Sequence, residues 1–225
     1  MSDAAEDFET RVEELRALLD EVAPGWDPDR QTTAQTRAPA LTLSPILSRS
    51  AIILLVSYFE GFLRDVVDDS CDRIADGVNC GADLSAHLRG RAFGKHIRTL
   101  RISEDPTAVW ESVSAMVRIG VAFESSDPVS PAMLPRDEIK RALTSIDPTK
   151  VNEIFRALGD DDLNRGPMSQ FGERLRGLKE LRDNLVHGHE SDLPSLAFQD
   201  VKNNANLLVA AAKSIASRVE SLTQP

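Results

Sequence analysis

The sequence predicts an all-α fold: an up-and-down bundle of long helices with shorter helices inserted between the core helices. Three observations lead there. Aromatic residues make up only 5% of the 225 residues, with a single Tyr, whereas sandwiches and barrels lean on aromatic and β-branched side chains. The prevalent residues, Ala, Leu, Arg and Glu, are good helix formers. Apolar residues recur at steps of three and four rather than two, the period of a helix with one buried face.

The elements follow in chain order. Phe8, Val12, Leu15, Leu19 and Val22 mark an amphipathic helix over 4–22, ended by Pro24 and Gly25. Residues 23–40, rich in Pro, Thr, Gln and Asp, read as a loop or linker. Ser44-Pro45 reads as an N-cap followed by a first-turn proline. The helix it opens runs to about Ile74, and its centre AIILLVSYFEGFL is apolar on nearly every side. A helix of that kind is expected to be buried by neighbours all round, as the central helix of the bundle.

Residues 85–101 read as a shorter helix interrupted by Gly90 and Gly94, and 106–122 as another, with Val109, Val113, Met116 and Val117 as its apolar positions. The proline-containing stretch 124–135 is a loop, and Arg136–Ser145 a short helix. Asp147-Pro148 opens a helix to about Leu158, and 159–167 forms an acidic loop. Residues 168–187 form a helix that Gly188 ends, since glycine accepts the left-handed conformation past a helix terminus. The last long helix covers 194–222, with Leu196, Val201, Leu207, Leu208, Ile215 and Val219 towards the core. The reading is a single domain over 1–225 whose core helices are about 44–74, 168–187 and 194–222.

Composition bounds the function. The formal net charge is −10, which disfavours non-specific attraction to nucleic acid or anionic membrane, so any RNA contact must come from a local basic patch. Cys71 and Cys80 lack a metal-ligand pattern and read as unpaired thiols. No metal or other cofactor is expected. The acidic N-terminal stretch MSDAAEDFET has no apolar h-region, and the run Ala51–Val56 is far too short to span a bilayer. A cytoplasmic protein without membrane association is the expectation. There is no Walker loop, dinucleotide fingerprint or HExxH motif.

The informative stretch is FGERLRGLKELRDNLVHGH, Phe171–His189. Its apolar stripe, Phe171, Leu175, Leu178 and Leu185, skips one position, and Arg182 occupies it. A charge on a buried face is costly without a partner. Arg182 must therefore meet a carboxylate, border a cleft or face a subunit interface, and Glu60 of the apolar helix is a candidate partner. Glu60 has a competing reading as an intrahelical pair with Arg64, four residues on. His187 lies five residues after Arg182, about 140° round an ideal helix, so the two converge only at a frayed helix end or with a second chain. The helix C-terminus favours the imidazolium. Asp183, four residues before His187, is placed to hold the imidazole in one tautomer.

Arg182-Asp-Asn-Leu-Val-His187-Gly188 resembles the Arg-x4–6-His motif of the HEPN superfamily (higher eukaryotes and prokaryotes nucleotide-binding). A polar residue usually follows the Arg there, and Asp183 or Asn184 fits. Ile53–Leu63, ILLVSYFEGFL, resembles the first core helix of the RiboL-PSP-HEPN-like branch, with its aromatic-Glu-Gly-aromatic pattern. These segments and the final helix cover about two-thirds of the chain. The resemblance implies a helical domain that often dimerises, bringing two motifs to one cleft, and in many members a metal-independent ribonuclease.

By that resemblance His187 acts as general base or acid and Arg182 holds the phosphate, with Glu60, Asp183 and Asn184 in support. The substrate is RNA, expected to be single-stranded, the product a 2′,3′-cyclic phosphate, and the setting a toxin–antitoxin or antiviral defence system with an antitoxin or defence partner. One branch carries Tyr two residues after the motif His; here that position is His189, so neutralisation by modifying such a Tyr does not apply. A second local feature is basic: Arg89, Arg91, Lys95, Arg98 and Arg101 occur with no acid between them. Arg91, Lys95 and Arg98 are expected to share a helical face opposite Phe93, Ile97 and Leu100, and to contact phosphates rather than bases. The competing readings are a catalytically silent HEPN module that binds RNA, nucleotide or a partner protein, and a structural helical adaptor.

Overall fold

The computed structural model describes residues 3–22, 37–143, 145–158, 168–187, 196 and 198–222. Among them the chain is helical, with no strand. The α-helices are α1 (Asp3–Val22), α2 (Arg37–Gly77), α3 (Ala86–Ala92), α4 (Gly94–Ile102), α5 (Pro106–Glu124), α6 (Arg136–Ala142), α7 (Pro148–Ala157), α8 (Met168–His187) and α9 (Phe198–Leu222). Among the described residues two single 3₁₀ turns, Gly81–Asp83 and Pro131–Met133, interrupt the connections. The expected all-α class holds.

The chain divides into two compact units. The first comprises Met1–Leu63, Ser145–Pro148 and Pro167–Ser217. It contains α1, the first part of α2, α8 and most of α9. The apolar stripe of α1 is buried as its spacing predicts, with Phe8, Val12, Leu15 and Leu19 all at most 6% exposed. Phe8 meets α2 through Phe59 and Phe62, at ring centroid distances of 5.7 and 5.6 Å. Arg16 on α1 donates to Asn206 on α9 at 2.6 Å, and Lys213 pairs with Glu9 at 2.6 Å. As the α1 number falls by seven the α9 number rises by seven, so the two helices run antiparallel. On α9, Val201, Leu207, Leu208 and Ile215 are buried, and Leu196 is buried just ahead of the helix.

The second unit comprises Arg64–Thr144, Thr149–Gly166 and Arg218–Pro225. The last turns of α2 are tied to α6 by two ion pairs, Asp72 with Arg136 and Asp68 with Lys140. The same number arithmetic makes these segments antiparallel. Ser85 caps α3 by accepting from the Leu88 N–H at 3.2 Å, and Asp105 caps α5 by accepting from Thr107 N–H at 2.9 Å, with Pro106 at the first helical position. Phe93 and Phe123 pack edge to face between the α3–α4 corner and α5.

Several expectations change. α2 starts at Arg37, not at Ser44-Pro45, so 37–40 belong to the helix rather than to a linker; 23–36 lie outside the described residues. Pro39 falls within the first turn, where no intrahelical N–H bond is due. Pro45 removes a single rung from a 41-residue helix. Nor is α2 buried on every side. Ile46, Ser50, Leu54 and Ser57 form an exposed strip, with Leu54 38% exposed, while Ile52, Leu55, Val56 and Phe59 are sealed. By length and composition alone Ile46–Gly77 could cross a membrane, although core helices pass the same test.

The helix expected over 85–101, interrupted by Gly90 and Gly94, is two helices; the break falls at Phe93 (φ −84°, ψ −13°), next to Gly94 and not at Gly90. α6 stops at Ala142, and α9 begins at Phe198, four residues later than expected. The loop 159–167 and Gly188, read as the stop of α8, lie outside the described residues.

Candidate functional site

α8 carries the motif. Its buried face starts as predicted: Phe171, Leu175 and Leu178 are 9%, 0% and 2% exposed. The stripe then fades, because Leu185 is only half-buried and Val186 is 47% exposed. Arg182 stands where the sealed part gives way, and its side chain is 26% exposed.

The charge at that position has the partner its cost requires. Arg182 Nη2 donates to Glu60 Oε1 at 3.3 Å, and Nη1 donates to Asp183 Oδ1 at 2.9 Å. Glu60, 18% exposed, projects from α2 at the aromatic-Glu-Gly-aromatic segment. Arg64, the alternative partner four residues on, is exposed. The guanidinium is thus held by two carboxylates on different helices, with one of its sides still open to solvent. Lys179 Nζ donates to the other Asp183 oxygen, Oδ2, at 2.8 Å. The four side chains form a chain of alternating charge, Glu60–Arg182–Asp183–Lys179.

Charge-assisted bonds set the protonation of this chain. The hydrogen bond from Lys179 holds the Asp183 carboxyl below its ordinary range; burial opposes it, and the hydrogen bond from Arg182 adds to the lowering. The Asp183 carboxylate raises Lys179 in return.

His187 is the last residue of α8 and is exposed. Both oxygens of Asp183 are engaged by Lys179 and Arg182. Asp183 thus binds both cations of the charged chain. α8 stays regular to His187, so Arg182 and His187 remain about 7.5 Å apart along the axis and about 140° round it. One chain does not bring the two to a common point. Asn184 is exposed on the same last turns. His189 lies outside the described residues.

The basic segment is dispersed by the break at Phe93. Arg89 and Arg91 stand half-buried on α3, while Lys95, Arg98 and Arg101 are exposed on α4. Arg91 thus stands on α3, and Lys95 and Arg98 on α4. Arg98 is bound to Glu138 of α6 at 2.6 Å, and Arg141 to the same carboxylate at 3.2 Å. The apolar side expected there, Ile97 and Leu100, is 44% and 36% exposed. Lys95 borders an open cleft of about 480 Å³ together with His96, Arg136 and Arg141. That set was not legible from the segment alone, because Arg136 and Arg141 arrive from forty residues downstream.

Among the described residues no three His, Cys, Asp or Glu side chains cluster as metal ligands. Cys71 is buried and Cys80 half-buried, and both are free. Lys179 is the member of the charged chain that sequence reasoning missed. Its signal was available, since Lys179 and Asp183 are spaced i,i+4 on one helix face. Comparison of the chain with family models, with curated proteins and with solved structures returned no significant match.

Proposed function

We propose that the chain is a HEPN-type domain acting as a metal-independent endoribonuclease, in a toxin or phage-defence setting. The observation that supports this reading best is Arg182: a partly exposed guanidinium at the end of a buried helix face, oriented by Glu60 and Asp183, with an exposed histidine on the same helix terminus. Such an arginine can bind a phosphodiester with its open side while its other donors stay anchored.

In the reaction, the base removes the ribose 2′-OH proton and the 2′-oxygen attacks phosphorus. The bond to the 5′-oxygen breaks, and an acid donates a proton to that leaving oxygen. The products are a 2′,3′-cyclic phosphate and a free 5′-OH. His187 supplies one of the two proton-transfer groups, and Arg182 offsets the charge that builds on the phosphoryl oxygens. The separation of Arg182 from His187 on one helix calls for a second chain. In a homodimer the phosphate would sit between Arg182 of one copy and His187 of the other, and a second imidazole would complete the acid–base pair.

The alternative is a catalytically silent HEPN module that binds RNA, nucleotide or a partner protein. Two observations favour it: the Arg182 guanidinium already has two carboxylates, and the chain carries a net charge of −10. A single experiment separates the readings. Purified protein is incubated with a set of single-stranded RNAs in EDTA, beside His187→Ala and Arg182→Ala. The ribonuclease reading expects cyclic-phosphate ends from the wild type and a loss of about 10²-fold or more in each variant. Absence of cleavage with retained RNA binding selects the silent module. Cleavage that survives His187→Ala removes His187 from the chemistry.

A further inference from the structure

The clearest feature outside the motif is the solvent side of α5. This 19-residue helix is packed on one side, where Ser112 and Phe123 are buried. Opposite them it exposes Trp110 (71%), Val113 (37%), Val117 (61%) and Val121 (66%). At 100° per residue these four lie within an arc of about 80°, so they form one continuous stripe along the helix. Of the four apolar positions named from the sequence, Val113 and Val117 are exposed, while Val109 and Met116 are half-buried. An exposed apolar stripe with Trp at its head, flanked on one side by Glu111, Ser114 and Arg118, is the composition of an interaction surface rather than of ordinary solvent-facing helix.

We infer that this stripe is the contact surface for a second copy of the same chain, with α5 packed antiparallel on α5 across a two-fold axis. The argument rests on self-complementarity, which a two-fold interface demands. Antiparallel pairing sets Val113 against Val117 of the second copy, a match centred on Ala115. It sets Trp110 against Val121 of the second copy, a match centred between Ala115 and Met116. Glu111 and Arg118 are both exposed on the same flank of the stripe. Being seven residues apart, they stand about 10 Å from each other along their own helix. In the antiparallel pair, Glu111 faces Arg118 of the second copy, and this match centres between Ser114 and Ala115. Three independent pairings thus share one dyad to within a single residue, about 1.5 Å along the axis. A partner of other sequence has no reason to produce that coincidence. The opposed helix directions also place unlike dipole ends together.

The contact is small. A single helix face of this length buries on the order of 1,000 Å² over both copies, at the low end of specific interfaces. The dimer is therefore reversible, with dissociation in about the micromolar range. It uses α5 and not α8, and it does not rest on the ribonuclease reading.

The test is sedimentation velocity of the full chain over about 1–200 µM, a window that brackets such an affinity. The wild type passes from monomer to dimer, with a blue shift of Trp110 emission as the dimer forms. Val117→Asp, a change on the solvent side that leaves the helical circular dichroism intact, weakens the dimer by about tenfold or more. Glu111→Arg and Arg118→Glu each weaken it several-fold, by setting like charges opposite one another. The double variant Glu111→Arg/Arg118→Glu regains the wild-type constant, which no effect on the isolated helix would do. A chain that stays monomeric throughout overturns the inference and leaves the stripe to a different partner. A dimer unmoved by Val117→Asp, or a double variant no tighter than the single ones, overturns it and assigns dimerisation to another face.

Discussion

Arg182 on α8 reaches Glu60 on α2, Nη2 to Oε1, at 3.3 Å. The contact joins positions 122 residues apart in sequence, and it explains two anomalies together: an arginine in line with an apolar stripe, and a glutamate in the most apolar segment of the chain. Each would be costly alone at its degree of burial. Together they neutralise each other and fix the guanidinium between α2 and α8, with the arginine side chain still 26% exposed.

The pair is coupled energetically, and a double-mutant cycle reads the coupling. Glu60→Gln and Arg182→Met are each expected to lower stability. The double variant should lose less than the sum, by about 0.5–1 kcal/mol, because both side chains keep some solvent contact and the attraction is partly screened. Chemical denaturation of the four proteins at low salt measures it. Strict additivity would mean that the two residues are neighbours without being partners.

The charged chain also fixes a pH dependence. The Asp183 carboxyl titrates below its ordinary range in the fold, chiefly through the Lys179 hydrogen bond. Its contribution to stability is therefore full above the unfolded-state pKa and is lost as the pH falls through the folded value. The stability difference between wild type and Asp183→Asn should be constant near neutrality and shrink below roughly pH 4. Lys179 gives the mirror image: its folded value is raised, so its share is retained to high pH and lost only above roughly pH 10.4. Thermal melts of wild type, Asp183→Asn and Lys179→Met across pH measure both limbs. A gap that widens in acid would reverse the assignment of the ion pair.

What the sequence disclosed, and what it withheld, follows the range of the forces involved. The stripes Phe8–Val12–Leu15–Leu19 and Phe171–Leu175–Leu178 were legible because burial of one helix face is written within a few turns. Glu60 could be named as a partner for Arg182 because a charge in an apolar stripe restricts the choices to a few. By contrast, periodicity gives apolar positions but not the direction they face, and the exposure of Val113 and Val117 was not legible from it. Ser44-Pro45 read as a helix start hid the true start of α2 at Arg37, since a long helix absorbs the loss of one hydrogen bond at an internal proline. The competition for Asp183 was invisible for a different reason: His187 and Lys179 are both four residues away, and only the fold decides which side chain meets it.

The two thiols should differ in reactivity. Burial pushes the Cys71 thiol up to about 12, against a partial opposing effect of Arg136. At neutral pH it is therefore protonated as well as shielded, and the thiolate is the reactive form. Cys80 is half-buried beside Asp83. An aromatic disulfide reagent should titrate one thiol in the native protein, absent in Cys80→Ser, and the second only after denaturation. Two fast thiols in the native state would mean that the last turns of α2 open readily.

Gly81 carries the most sharply defined steric prediction. It opens the 3₁₀ turn that follows α2 and lies against the C-terminal part of α5. A Cβ added there would run into the backbone Cα of Phe123 and stand 3.0 Å from the carbonyl oxygens' side of the chain at Ala122 O. Backbone of a helix cannot step aside as a flexible side chain can, so either the turn or α5 must shift. The cost is that of overpacking, about 1–3 kcal/mol. Because Phe123 also packs edge to face on Phe93, a displaced α5 would loosen the corner between α3 and α4 as well. Gly81→Ala should therefore lower the melting temperature and raise amide exchange over Phe93 and Phe123. Gly61→Ala, on the α2 helix with no atom within 4 Å of the added Cβ, is the control. It should be neutral or stabilise by about 0.4–1 kcal/mol through the unfolded chain. Equal behaviour of the two variants would show that the close approach of Gly81 to α5 does not persist in solution.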